Sequence, residues 1–138
     1  MERRELDSML AQLRQIREQV LAQLNDVTED EFSRPTDMQR WTDVRRVLLR
    51  FGDHVREHAN QAEGARMNIG RPHTMPQRML AEAELAWGKL LAATVGLTDE
   101  DMVAAPRDGG WSVKQVLDHV IESEQRYLDA IRAARRPQ

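Results

Sequence analysis

An all-α fold, a four-helix bundle built from two related helical hairpins, is what this 138-residue sequence predicts. Three observations carry that prediction. Apolar residues recur every three or four positions through four long segments, the period of a helix with one covered face. No alternating apolar run is long enough for a strand, and Ala, Leu, Glu, Gln and Arg dominate. The length suits one domain, 1–138, with one core.

The first helix is marked by Leu6, Met9, Leu10, Leu13, Ile16, Val20 and Leu24, with Arg, Glu and Gln between them. The second carries Val44, Val47, Leu48, Phe51, Val55 and Ala62, and is expected to end near Gly64 or in the breaker Gly70-Arg71-Pro72. Thr74 with Gln77 three residues on forms a capping-box signature. It opens a third helix with Met79, Leu80, Ala83, Trp87, Leu90 and Leu91 inward, closed by Gly96. Ser112 with Gln115 opens the fourth, whose stripe is Val113, Val116, Leu117, Val120, Glu124, Tyr127, Leu128 and Ile131. From Arg132 the tail is basic and is expected to fray.

Two connectors exceed a simple turn. Thr28-Glu29-Asp30-Glu31 and Thr98-Asp99-Glu100-Asp101 each begin with a helix-capping threonine and are followed by a proline, Pro35 or Pro106, so each is expected to hold a short helical turn. They also share a register, because Thr28 lies thirteen residues before Trp41 and Thr98 thirteen before Trp111. Past the tryptophans, Trp41-Thr42-Asp43-Val44 parallels Trp111-Ser112-Val113 after one inserted residue. These coincidences describe an internal repeat, with hairpin one at about 1–66 and hairpin two at about 74–135. The two tryptophans read as anchors that pack the connectors, and Trp87 as an ordinary core or interface residue.

Composition excludes several roles. A formal net charge of -3 offers no general attraction to nucleic acid. No run of about 18 apolar residues exists to span a membrane, and no apolar run follows a basic N-terminus, so a cytoplasmic location is expected. With no cysteine, disulfides, thiolate ligands and a cysteine nucleophile are all excluded.

Chemistry concentrates in the histidines, of which there are four. His54 and His58 are spaced i and i+4, so both imidazoles lie on one helix face and can reach one ion if a third ligand comes from elsewhere. The repeat nominates that third ligand. In its register His119 is equivalent to Arg50, one turn before His54, and a pseudo-two-fold bundle would bring the three to one level. Three neutral nitrogen ligands suit zinc or nickel and leave positions open, the pattern of a catalytic site. An open-sided ion can acidify water near neutral pH for use as a nucleophile. His73, between Pro72 and Thr74, is a loop residue with no expected role.

Candidate general bases or proton relays are Asp53, Glu57, Asp118 and Glu124. Glu124 stands out because it interrupts an apolar stripe, from which it could orient a histidine or contact water. Glu57 also sits within His54-x-x-Glu57-His58, a match to an inverted zinc-protease motif, but no distal carboxylate ligand follows. A di-iron carboxylate site needs Glu-x-x-His, and Phe51, Val55 and Val116 occupy the required positions. Tyr127 aligns with His58 in the repeat.

Gly110-Trp111-Ser112-Val113-Lys114-Gln115-Val116-Leu117-Asp118-His119 resembles the Trp-Ser-Val...Leu-x-His segment of the DinB/YfiT-like four-helix bundles. His54-x-x-x-His58, followed by Ala59-Asn60-Gln61, is similar to that family's paired-histidine helix. The resemblance implies a DinB-like bundle, a divalent metal held by three histidines, and a metal-dependent hydrolase or thiol S-transferase. It also implies a homodimer acting on a small-molecule substrate, with a low-molecular-weight thiol as one candidate partner. The order differs, since the family places its lone histidine before the pair; circular permutation by hairpin exchange accounts for that. The alternative is a non-enzymatic metal- or small-molecule-binding bundle with a structural or vestigial site.

Overall fold

A computed structural model describes residues 2–137, and among them every regular element is helical. In chain order these are α1 (Arg4–Leu24), a 3-10 turn (Glu29–Glu31), α2 (Val44–Asn68), α3 (Met75–Thr94), the short α4 (Asp99–Val103) and α5 (Val113–Ala134). The all-α class therefore holds, with four long helices and both expected connector turns. No helix among the described residues is long and apolar enough to cross a membrane.

Local chemistry explains the boundaries. Four helical segments begin with a reciprocal capping box: Thr28 with Glu31, Thr74 with Gln77, Thr98 with Asp101, and Ser112 with Gln115. Each satisfies two backbone N–H groups that a helix start would otherwise leave unpaired. α2 begins differently, with Asp43 accepting from the Arg46 amide at 2.8 Å. Its first two amides are held by the preceding connector, Val44 donating to the Arg34 carbonyl and Arg45 to that of Phe32.

The second helix runs through Gly64 to Asn68, so of the two expected ends it is the Gly70-Arg71-Pro72 breaker that operates. There Arg71 donates to the Arg66 carbonyl and Gly70 to that of Met67, while Gly70 adopts φ +70°. That is a Schellman ending, for which the left-handed residue is normally glycine. Gly96, at φ +85°, follows the end of α3 in the same conformation. The expected fraying from Arg132 is corrected: α5 continues to Ala134, with Arg132 in its last turn, where a cation complements the helix dipole.

The chain divides into two compact units, one through Val95 and one from Gly96 onward. In the second unit α4 packs on α5, and Met102, Val113, Val116, Leu117 and Val120 are half-buried there. In the first unit the corresponding half-buried group gathers at the connector, around Phe32, Trp41, Val44, Val47, Leu48 and Phe51. The longer stripes are uncovered. Leu13 on α1, Leu80 on α3 and Ile131 on α5 are each more than half exposed, and no described residue is buried. Expected inward positions such as Met79, Leu80 and Trp87 are thus solvent-facing, because α4 with α5 is the one pair of elements that packs extensively among the described residues.

Candidate functional site

Both candidate ligands of α2 lie on one exposed face, as their spacing requires. The His54 and His58 rings meet edge to face, centroids 4.5 Å apart and planes at 76°. Gln61, one turn further on, places its side-chain oxygen 2.7 Å from Nδ1 of His58. Sequence reasoning singled out the pair but gave Gln61 no role, although the i, i+3 spacing from His58 was the available signal.

On the same helix, one turn before His54, Arg50 is half-buried and lies over the Trp41 ring, its guanidinium carbon 4.8 Å from the ring centroid. Its Nη2 donates to Glu57 at 3.2 Å, a span of seven residues that draws the guanidinium along the face carrying His54. The Nε of Arg50 is buried without a hydrogen-bond partner. Arg40 also lies over the same tryptophan ring, its guanidinium carbon 5.3 Å from the centroid. An arginine keeps its charge at all accessible pH values and offers no lone pair, so Arg50 cannot ligate a metal.

In the second unit the equivalent place on α5 belongs to His119. It is exposed, and its ring stands edge to face on Trp111 with centroids 5.2 Å apart. The Trp41–Arg50 and Trp111–His119 contacts fall at matching places after the two connectors, a cation over the ring in one and an imidazole edge to face in the other. The Gly109 φ of +75° and the Asp108 side chain, which accepts from the Gly110 amide at 2.9 Å, shape the turn that delivers Trp111.

The proposed bases separate by their partners. Asp53 pairs with Arg56 at 3.1 Å, Glu57 with Arg50, and Asp118 with Lys114 at 2.5 Å. Glu124 enters no ion pair among the described residues; it sits on an open α5 surface with Ile121, Gln125 and Leu128. Tyr127 is largely exposed. Asp101, in α4, has its carboxyl held below the ordinary range by hydrogen bonds from the Thr98 backbone and hydroxyl.

A fit to a divalent ion is met in part. The adjacent, exposed His54 and His58 rings supply two imidazole nitrogens of the type zinc and nickel accept. Among the described residues no group of three or more His, Cys, Asp or Glu is assembled that could hold a metal. The pair belongs to the first compact unit and His119 to the second.

Residues 82–138 match the family model of the DinB superfamily. The match takes in Trp111, Ser112 and His119 and leaves the His54/His58 segment outside it. No curated protein and no solved structure matches the chain. The match to the DinB superfamily supports a DinB-like assignment for this chain, carried by its C-terminal residues 82–138.

Proposed function

We propose that this chain is a DinB-like metal-dependent protein in which His54, His58 and His119 hold one divalent ion, zinc or nickel. The single observation that carries the reading is the exposed His54/His58 pair, two imidazoles side by side on one helix face with ring centroids 4.5 Å apart. The DinB-like C-terminal stretch contributes the precedent for His119 as the third ligand. When bound, the ion supplies Lewis acidity near neutral pH. The three imidazoles anchor it while leaving space on its open side for water and a small substrate. Glu124, the one of the four base candidates in no ion pair among the described residues, is the group assigned to accept a proton. The activity class is hydrolysis or transfer to a low-molecular-weight thiol, carried out by a homodimer in the cytoplasm.

A second reading, small-molecule binding without turnover, draws support from Asp53, Glu57 and Asp118 being engaged in ion pairs. Metal-loaded full-length protein assayed on ester and thiol-transfer panels separates the two. Turnover that needs the ion and falls at least ~100-fold in Glu124→Gln supports the enzyme, a loss within the range of general acid–base contributions. Stoichiometric metal with no turnover on either panel favours the binding protein.

A further inference from the structure

We infer that two copies of this chain exchange α3, each α3 lying on α1 and α2 of the other copy, an arrangement that rests on the homodimer of the reading above and not on its metal. The chain exposes 12801 Å², whereas a self-contained folded chain of 15.9 kDa exposes about 7,400 Å². Packing two units of one chain together removes only about 600–1,500 Å², so roughly 4,000 Å² remains to be covered however the two units are arranged. That is the scale of an obligate homodimer interface.

Much of the bare surface is apolar and lies on helices of one unit. Leu6, Met9, Leu13 and Ile16 on α1, and Met79 and Leu80 on α3, are each more than half exposed. α1, α2 and α3 make no extensive contact with one another, although all three belong to the unit ending at Val95. With no described residue buried, one copy lacks the covered core that offsets the cost of ordering a chain.

A short, fastened hinge sets the course of α3 away from α2. Six residues, 69–74, join the two helices. The Arg66 guanidinium ties both ends of this hinge, Nε donating to the Arg71 carbonyl at 2.6 Å and Nη2 to the Gln77 side chain at 3.2 Å. Gln77 in turn accepts from the Thr74 amide at 3.0 Å, and Gly70 makes the bend at φ +70°. A hinge of this kind favours exchange of an identical element between copies. The apolar partner that α3 lacks in its own copy is the α1 and α2 surface of a second copy, which has the same unmet need, so two-fold symmetry closes the pair.

Light scattering on the full-length protein is expected to give twice the 15.9 kDa chain mass, and the urea midpoint should rise with protein concentration. Because the chain has no cysteine, spin labels report only introduced sites. Arg56 lies twelve residues before the end of α2 and Lys89 fourteen after the start of α3, so the two sites diverge along one chain and meet between exchanged chains. Heterodimers co-expressed under two tags provide both distances. Labels at Arg56→Cys on one chain and Lys89→Cys on the other should lie closer together than the same two labels on one chain beside an unlabelled copy. Lengthening the hinge by about four Gly and Ser residues after Arg71 should let α3 fold back on its own α2, lowering the mass toward 15.9 kDa.

A dimer in which the within-chain distance is the shorter one overturns the exchange, as does a wild-type chain that stays monomeric. A dimer with exchanged distances but no bound metal upholds the exchange and rejects the three-histidine reading; a metal-loaded monomer does the reverse.

Discussion

Trp41 and Trp111 follow two similar connectors, and the two differ in what each holds against its ring. Trp41 carries Arg50, a permanent cation tied down by Glu57. Trp111 carries His119, an imidazole left exposed. The scaffold leading to each is shared: a capped turn at Thr28 or Thr98, a proline, the tryptophan, and a polar N-cap at Asp43 or Ser112. The two places carry different residue types, and of the two only the imidazole has a lone pair with which to ligate an ion. The first connector is also the more tightly fastened, with Thr36 donating through its amide to Thr42 and through its hydroxyl to the Trp41 carbonyl.

The largest expected effect comes from making the halves alike. His119→Arg gives the second hairpin the group found in the first. Calorimetric zinc titration should show a loss exceeding the ~100-fold ceiling typical of outer-partner removal, since a ligand itself is gone. Arg50→His is the complementary change, and because His54, His58 and His119 remain, it should leave the affinity for the first ion within a few-fold.

The caps come next. Asp43→Ala removes the acceptor for the Arg46 amide and the Asp43–Arg46 ion pair, at 2.8 Å and 2.6 Å. It should lower stability by about 1–2 kcal/mol in urea unfolding, and Ser112→Ala by about 1 kcal/mol. A larger loss in Ser112→Ala would reverse the ranking of the two fastenings.

A pH effect divides the two connector turns more finely. Asp101 has its carboxyl pKa lowered by the Thr98 hydrogen bonds, so its charged form favours the folded turn. The sign follows: that contribution is present above the unfolded value of about 3.9 and is lost as pH falls through the lower folded value. Carboxyl carbon shifts followed by NMR should show Asp101 titrating below the ordinary aspartate range, and Thr98→Ala should return it upward. Titration at the ordinary value in the wild type would remove the α4 box.

The smallest effect concerns flexibility. α2 contains Gly52 and Gly64, whereas α5 contains no glycine. A Cβ at Gly52 meets nothing within 4 Å, so Gly52→Ala should stabilise by roughly 0.5–1 kcal/mol and raise helix content. Destabilisation would mean that this position is covered by something in solution. The uncovered stripes raise the same question on a larger scale. The proposed homodimer predicts twice the 15.9 kDa chain mass by light scattering.

What the sequence revealed most reliably was governed by neighbours along the chain. Thr74, Thr98 and Ser112 announce their helices because a capping box is complete within four residues, and Gly70 and Gly96 announce ends because a left-handed residue favours glycine. The His54/His58 face was legible for the same reason. Less legible were contacts that depend on side-chain reach rather than pattern. Arg50 spans seven residues to Glu57, and Gln61 turns back to His58; neither leaves an apolar period to read. The stripes of α1, α3 and α5 were visible as patterns, but a pattern specifies a face and not what covers it.

The central claim, that three histidines from both hairpins hold one ion, is tested most directly by metal analysis of protein purified without an affinity tag from metal-replete medium. The account predicts one divalent ion per chain, lost to a similar degree in His54→Ala, His58→Ala and His119→Ala. A wild type without stoichiometric metal, or a His119→Ala variant that retains the full amount, would contradict it.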